Sequence, residues 1–183
     1  MKTITFSFTI LFAFVFSNVL TAQSDLSPDE MAVRQIMQDL QDAWNNKSGE
    51  QFAAHFAADH SIVVWSGLYM PHLTPEVNAE SHQGLFDSVF RTLYMNLKVD
   101  NVRFVRPDAA MVHTLVRTWE GTEKAPDYPE LLATSLLVKN GDKWEIVSFL
   151  NLDIEYDELL RKPEPTDEEI TAFAKERFPG WYR

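Results

Sequence analysis

"ELLATSLLVKNGDKWEIVSFLNLDI", residues 130 to 154, decides the fold. Two alternating apolar runs flank "NGD", residues 140 to 142. Asn-Gly between such runs is a strong hairpin signal, because the tight turn needs residues that tolerate positive φ. Working backwards, "LKVDNVRFVR", residues 97 to 106, and "AAMVHTLVRTW", residues 109 to 119, read as a second hairpin turning at "PDA". The loop "EGTEKAPDYP", residues 120 to 129, separates the two. Four strands in succession make an antiparallel meander.

Further upstream the period changes. "SPDE", residues 27 to 30, is a helix start: Ser27 caps, Pro28 fits the first turn and Glu30 can close a capping box. Val33, Ile36, Met37, Leu40, Ala43 and Trp44 then recur at helical spacing. "NNKSGE" breaks this helix, and Phe52, Ala53, Phe56 and Ala57 predict a short second one that ends at Asp59 and His60. "SIVVW", residues 61 to 65, reads as a strand. Residues 66 to 80, with Gly67, Pro71 and Pro75, read as a long connection suited to a lid or pocket rim. A third helix is expected from about Glu80 to Met95.

Helices first and a meander after them define an α+β fold rather than alternating α/β. The natural solution is a curved antiparallel sheet with the N-terminal helices packed on its concave face. The other face also carries apolar residues, which predicts a homodimer surface.

The two ends differ from this core. Residues 1 to 22 carry one charge, Lys2, then an apolar run centred on Ile10 to Phe16, then small and polar residues. That is the layout of a cleaved secretory signal peptide, and it predicts export to the periplasm or medium. An uncleaved anchor is the competing reading, but the apolar run is short for a bilayer and polar residues interrupt it. Removing 22 of the 183 residues leaves 161, which is one domain by size. The domain is read as residues 23 to 160. The tail, residues 161 to 183, has a two-proline spacer, a capping box from Thr166 to Glu169 and a short helix with Ile170, Phe173, Ala174 and Phe178. It is expected to dock on the domain or on a partner subunit.

Composition narrows the function. The chain has 16 basic and 27 acidic residues, a net charge of −11. Such a surface repels phosphate backbones, so nucleic acid is not an expected partner. There is no cysteine, so an exported domain would rely on its core alone. His55, His60, His72, His82 and His113 show no zinc-helix spacing, and no calcium loop, phosphate loop or nucleophile elbow occurs. No metal and no cofactor is expected.

Seven positions stand out within that frame. His82 precedes Leu85, Phe86, Val89 and Leu93 by three, four, seven and eleven residues, so on a helix its ring points inward. It is then either a general acid or base in a cavity, or a core histidine held by a backbone carbonyl. Asn151 shares a strand face with Val147, Phe149 and Asp153 by alternation. Its carboxamide can orient a ligand or His82, or make a structural hydrogen bond, and Asp153 can add a carboxylate or stay solvated. His113 and Arg117 share a strand face with Met111, Leu115 and Trp119, and contribute to a site only if that face looks into the cavity. Trp44 can wall a pocket, although aromatic stripes at helical spacing are usually core. Tyr69 can cover the mouth.

"SHQGLFDSVF", "VRFVRPDAAMVH" and "DKWEIVSFLNLD" together resemble the SgcJ/EcaC branch of the SnoaL-like, nuclear-transport-factor-2-like (NTF2-like) superfamily, over roughly residues 29 to 155. The resemblance rests on His82, on the turn Arg103, Phe104, Pro107, Asp108 and Ala110, and on Asn151. It implies a cone-shaped, cystatin-like fold with a deep cavity between sheet and helices, usually dimeric. The superfamily contains isomerases, cyclases, dehydratases and pure binding modules. The Thr that usually follows the strand-closing Asn is Leu152 here. Three functions follow. One is an exported module that binds a small, largely apolar molecule. Another is an isomerase- or dehydratase-type enzyme with His82 as general acid or base. The third is a structural or protein-binding domain whose cavity is filled by its own side chains.

Overall fold

A computed structural model describes residues 26 to 121 and 126 to 183; the proposed leader lies outside the described residues. Helix α1 runs Pro28–Asn45, α2 Gly49–Ala53 and α3 Pro75–Phe86. Strands β1 Phe56–Val63, β2 Tyr69–Leu73, β3 Leu93–Arg106, β4 Ala109–Glu120, β5 Leu131–Asn140 and β6 Lys143–Asp153 form one sheet in the order β2-β1-β6-β5-β4-β3. The α+β architecture is as expected, an open curved sheet with helices on one side. Every neighbouring pair is antiparallel except β1 with β6, which is parallel. Among the described residues no helix is long and apolar enough to cross a membrane.

The chain's local chemistry explains the helix starts. Ser27 Oγ accepts from the Glu30 amide at 3.1 Å, and Thr74 Oγ1 accepts from the Val77 amide at 3.4 Å. Each cap is followed by a proline at the first helical position. The expected start of α3 near Glu80 was therefore five residues late: "TPEV" is the same signal as "SPDE". The expected end at Met95 was also wrong. The helix stops at Phe86, because Leu93, Tyr94 and Met95 pair with Glu120, Trp119 and Thr118 in the sheet. Residues 66 to 80 are likewise not one loop but a hairpin strand followed by a helix start. Phe56, Ala57 and His60 belong to β1, not to a helix; their spacing suits either period, and pairing with β6 chooses the strand.

Val33, Ile36, Met37, Leu40 and Ala43 of α1 pack with Phe52, Phe56, Phe86 and the sheet residues Val112, Val116, Ala133, Leu137 and Ile146. Even-numbered β4 residues and odd-numbered β5 residues thus face the helices. Register shifts at Val99/Asn101, Phe104/Arg106 and Leu136/Leu137 interrupt the ladders. Such extra residues bend a sheet and raise its twist. Gly49 lets α2 and α3 meet backbone to backbone. A Cβ there would sit 2.1 Å from the Ala79 carbonyl oxygen, and the Gly49 amide donates to Gln83 Oε1 at 3.0 Å.

The outer edge of β3 is not left bare. Asn45 exchanges two hydrogen bonds with the Met95 backbone at 2.8 and 2.9 Å, and Gln41 Oε1 accepts from the Leu97 amide at 2.7 Å. One turn of α1 thereby occupies groups that a further strand would otherwise use. The tail docks on its own domain. After α4, Tyr156–Leu160, which closes the domain, it adds α5, Asp167–Arg177, and a 3-10 turn, Pro179–Tyr182. Tyr156, Ile170 and Ala174 bury together with Tyr128, and the Thr166–Glu169 capping box forms as expected.

Candidate functional site

His82 lies on α3 with its ring stacked on Phe52, centroids 4.0 Å apart, and within 6.0 Å of the Phe86 ring. The apolar face predicted for it is only partly real. Phe86 is buried, Leu85 is at the surface, and Val89 and Leu93 lie beyond the end of the helix. The ring's burial comes instead from α2, through the close approach at Gly49. Nδ1 lies 3.1 Å from the Asn78 carbonyl. A carbonyl only accepts, so Nδ1 carries the proton and the neutral ring leaves Nε2 as an acceptor. Burial holds the imidazole below its ordinary pKa, the Asn78 carbonyl opposes this, and nearby His60 adds to the lowering. The ring is therefore neutral at pH 7.

Sequence reasoning missed Asn78, which organises this corner. It is 1 % exposed, and its Nδ2 lies 3.1 Å from His60 Nε2. His60 is itself buried, with Nδ1 on the Ala57 carbonyl at 2.8 Å. Asn78 Oδ1 has no partner among the described residues. Its position one helical turn before His82 was the available signal.

Asn151 sits on the helix side of β6, and alternation explains it only in part. The register shift opposite Leu136/Leu137 makes Val147 an extra residue, so Ile146 and Phe149, not Val147, share its face. Asn151 pairs with Ala133, and Ala133 pairs with Thr114. These three form one row across β6, β5 and β4. Thr114 Oγ1 and Asn151 Oδ1 are both buried and neither has a partner among the described residues. The small Ala133 lies between them. Two strand spacings put their backbones about 9 to 10 Å apart. Buried oxygens are normally paired, so two orphans flanking an alanine are exceptions that call for a physical reason.

His82 and Asn151 lie on the same side of the sheet, but no hydrogen bond joins them. Phe52, Phe56 and Phe149 run between the two, with successive centroids 6.0 and 6.4 Å apart. Asn78, not Asn151, fixes the imidazole. Asp153 is exposed at the end of β6, the solvated alternative. Trp44 is core: Nε1 donates to the Leu93 carbonyl at 2.9 Å, and its ring meets Phe52, Phe86 and Phe90. Tyr69 is 60 % exposed on the edge strand β2. His113 and Arg117 point away from the helices, opposite Thr114 and Val116, so they do not join His82 and Asn151. Among the described residues no group of three or more His, Asp or Glu side chains is placed to hold a metal ion.

No family model and no curated protein matches the chain. Solved structures do. A domain of unknown function with a cystatin-like fold from Nostoc punctiforme is 28% identical, over 74% of this chain and 85% of that one, at a TM-score of 0.66. An NTF2-like protein of unknown function from Shewanella oneidensis is 13% identical, over 67% and 98%, at 0.56. A ketosteroid isomerase-like protein from Erwinia carotovora is 16% identical, over 71% and 99%, at 0.54. The chain thus has the cystatin-like, NTF2-like fold.

Proposed function

We propose that this domain binds a small, largely apolar molecule against the helix-facing side of its sheet. The observation that carries this is the row Thr114, Ala133, Asn151, with two buried oxygens that have no partner among the described residues. Apolar walls with a few converging polar groups are the ordinary form of a small-molecule site. The same reading takes the chain as an exported homodimer of the SgcJ/EcaC branch. Leader-like residues 1 to 22 and the apolar residues of the outer sheet face, among them Leu132, Leu136 and Leu150, support it. Native mass spectrometry of the purified protein tests it. A bound small molecule in wild type that is lost in Asn151→Leu supports the site, and equal retention in both contradicts it.

A second reading, proton transfer by His82, is favoured by one observation. The ring is neutral, Nδ1 is held by Asn78, and among the described residues nothing hydrogen-bonds Nε2. A fixed basic nitrogen beside an apolar wall is what an isomerase or dehydratase step requires. The isomerase-like name of one structural neighbour agrees with it. Replacing His82 by Gln and comparing ligand affinity with turnover separates the two. Unchanged turnover removes His82 as the base.

A further inference from the structure

The opposite side of the sheet holds a cleft of about 460 Å³ that the C-terminal tail completes. It runs around the edge of β3. Its walls include Trp119 from β4, Trp181 from the tail's last turn, Asn96 from β3, Gln41 from α1 and Asp127 at the rim, with Arg117 at its base. The tail is held there tightly. Lys98 Nζ donates to the Trp181 carbonyl, Tyr182 Oη donates to the Asp127 carbonyl at 2.7 Å, and a Cβ on Gly180 would lie 2.2 Å from Asp100 Oδ1.

Arg117 is the unusual group. Its side chain is 16 % exposed, its guanidinium lies 5.0 Å from the centre of the Tyr128 ring, and Nε is buried with no partner among the described residues. Its one carboxylate neighbour among the described residues, Glu130, stands at 3.5 Å from Nη1. That carboxylate is already engaged, since Glu130 Oε1 accepts from the Thr118 amide at 2.7 Å and from the Thr118 hydroxyl. A buried guanidinium needs acceptors, and a planar carboxylate matches its fork with two parallel bonds. Gln41 spends Oε1 on the Leu97 amide, so its Nε2 remains to donate.

We propose that this cleft is a second binding site, for a small organic monocarboxylate with a flat apolar body. Arg117 takes the carboxylate, Trp119 and Trp181 flank the body, and the Asn96 and Gln41 amides set its orientation. A single guanidinium can neutralise at most one carboxylate, so a monoanion is favoured over a dianion. One guanidinium faces Glu130 and the Asp127 rim, which would repel a phosphate dianion.

Titrating the full-length protein with 4-fluorophenylacetate, 4-fluorophenylacetamide and inorganic phosphate, read by fluorine and phosphorus NMR, tests this. A panel of monocarboxylates from acetate to naphthylacetate covers ligand size. The expected result is saturable carboxylate binding that weakens about tenfold or more for the neutral amide and in Arg117→Gln, with phosphate weaker still. Trp119→Leu keeps the charge and is expected to lose affinity for the aromatic acids but not for acetate. That variant keeps the question open to refutation if Arg117→Gln fails to fold. The proposal is overturned if no carboxylate in the panel binds, if amide and acid bind alike, if phosphate binds better, or if neither variant changes affinity.

Discussion

The two sides of the sheet are finished differently. On the tail side several polar groups meet a partner from the chain itself, and Arg117 Nε is the one buried side-chain nitrogen or oxygen there without one among the described residues. Tyr156 Oη donates to the Pro129 carbonyl at 2.7 Å and Tyr128 Oη to Asp167 at 2.8 Å. On the helix side Asn78 Oδ1, Thr114 Oγ1 and Asn151 Oδ1 are buried and unmatched among the described residues. A fold that had closed both sides for stability alone would have matched both. The contrast supports the proposed binding role of the helix side.

The largest expected effect breaks the helix side alone. Gly49→Ala forces a methyl into the Ala79 carbonyl, and backbone on both sides leaves little room to relax. We expect about 3 kcal/mol of destabilisation in urea unfolding, with the His82–Phe52 stacking lost. A loss under about 0.5 kcal/mol would show that α2 and α3 are not locked as described. The matching test on the tail side is smaller. Tyr156→Phe leaves the Pro129 carbonyl without its donor and should cost about 1 to 2 kcal/mol. An unchanged midpoint would mean that water replaces the phenol there.

His82 sharpens the comparison through pH. Burial lowers its pKa in the folded chain, while the unfolded ring titrates near 6.5. The unfolded state therefore takes up the proton first as pH falls. His82 supports stability fully above 6.5 and loses that support below it, with a slope of at most about 1.4 kcal/mol per pH unit. His82→Gln should flatten the acid side of the stability profile; parallel wild-type and variant profiles would contradict the burial described. The smallest effect is the most pointed. Thr114→Val removes a hydroxyl with no partner, so stability should change by less than about 1 kcal/mol in either direction while ligand affinity falls. A loss of several kcal/mol would mean that the hydroxyl already has a structural partner.

The strands were far more legible than the site. "NGD" and period-two alternation placed β5 and β6 to within a residue or two, because hairpin pairing is local. The helical half was harder. Phe52, Ala53, Phe56 and Ala57 suit a helix, and only pairing with β6, some ninety positions later, turns the last two into strand. His82 was legible as a half-buried ring, but its partners were not, since they depend on the approach of α2 to α3. Thr114 was invisible: choosing between it and its neighbour His113 requires knowing which face meets the helices. Asn151 was found, although a register shift had already broken the alternation used to find it.

The central claim is that a molecule other than the chain satisfies the row at Ala133. A crystal structure of the protein as purified is the most direct test. The account predicts non-protein density over Ala133, within hydrogen-bond distance of Thr114 Oγ1 or Asn151 Oδ1. No such density, with both oxygens bonded to protein groups, would contradict it.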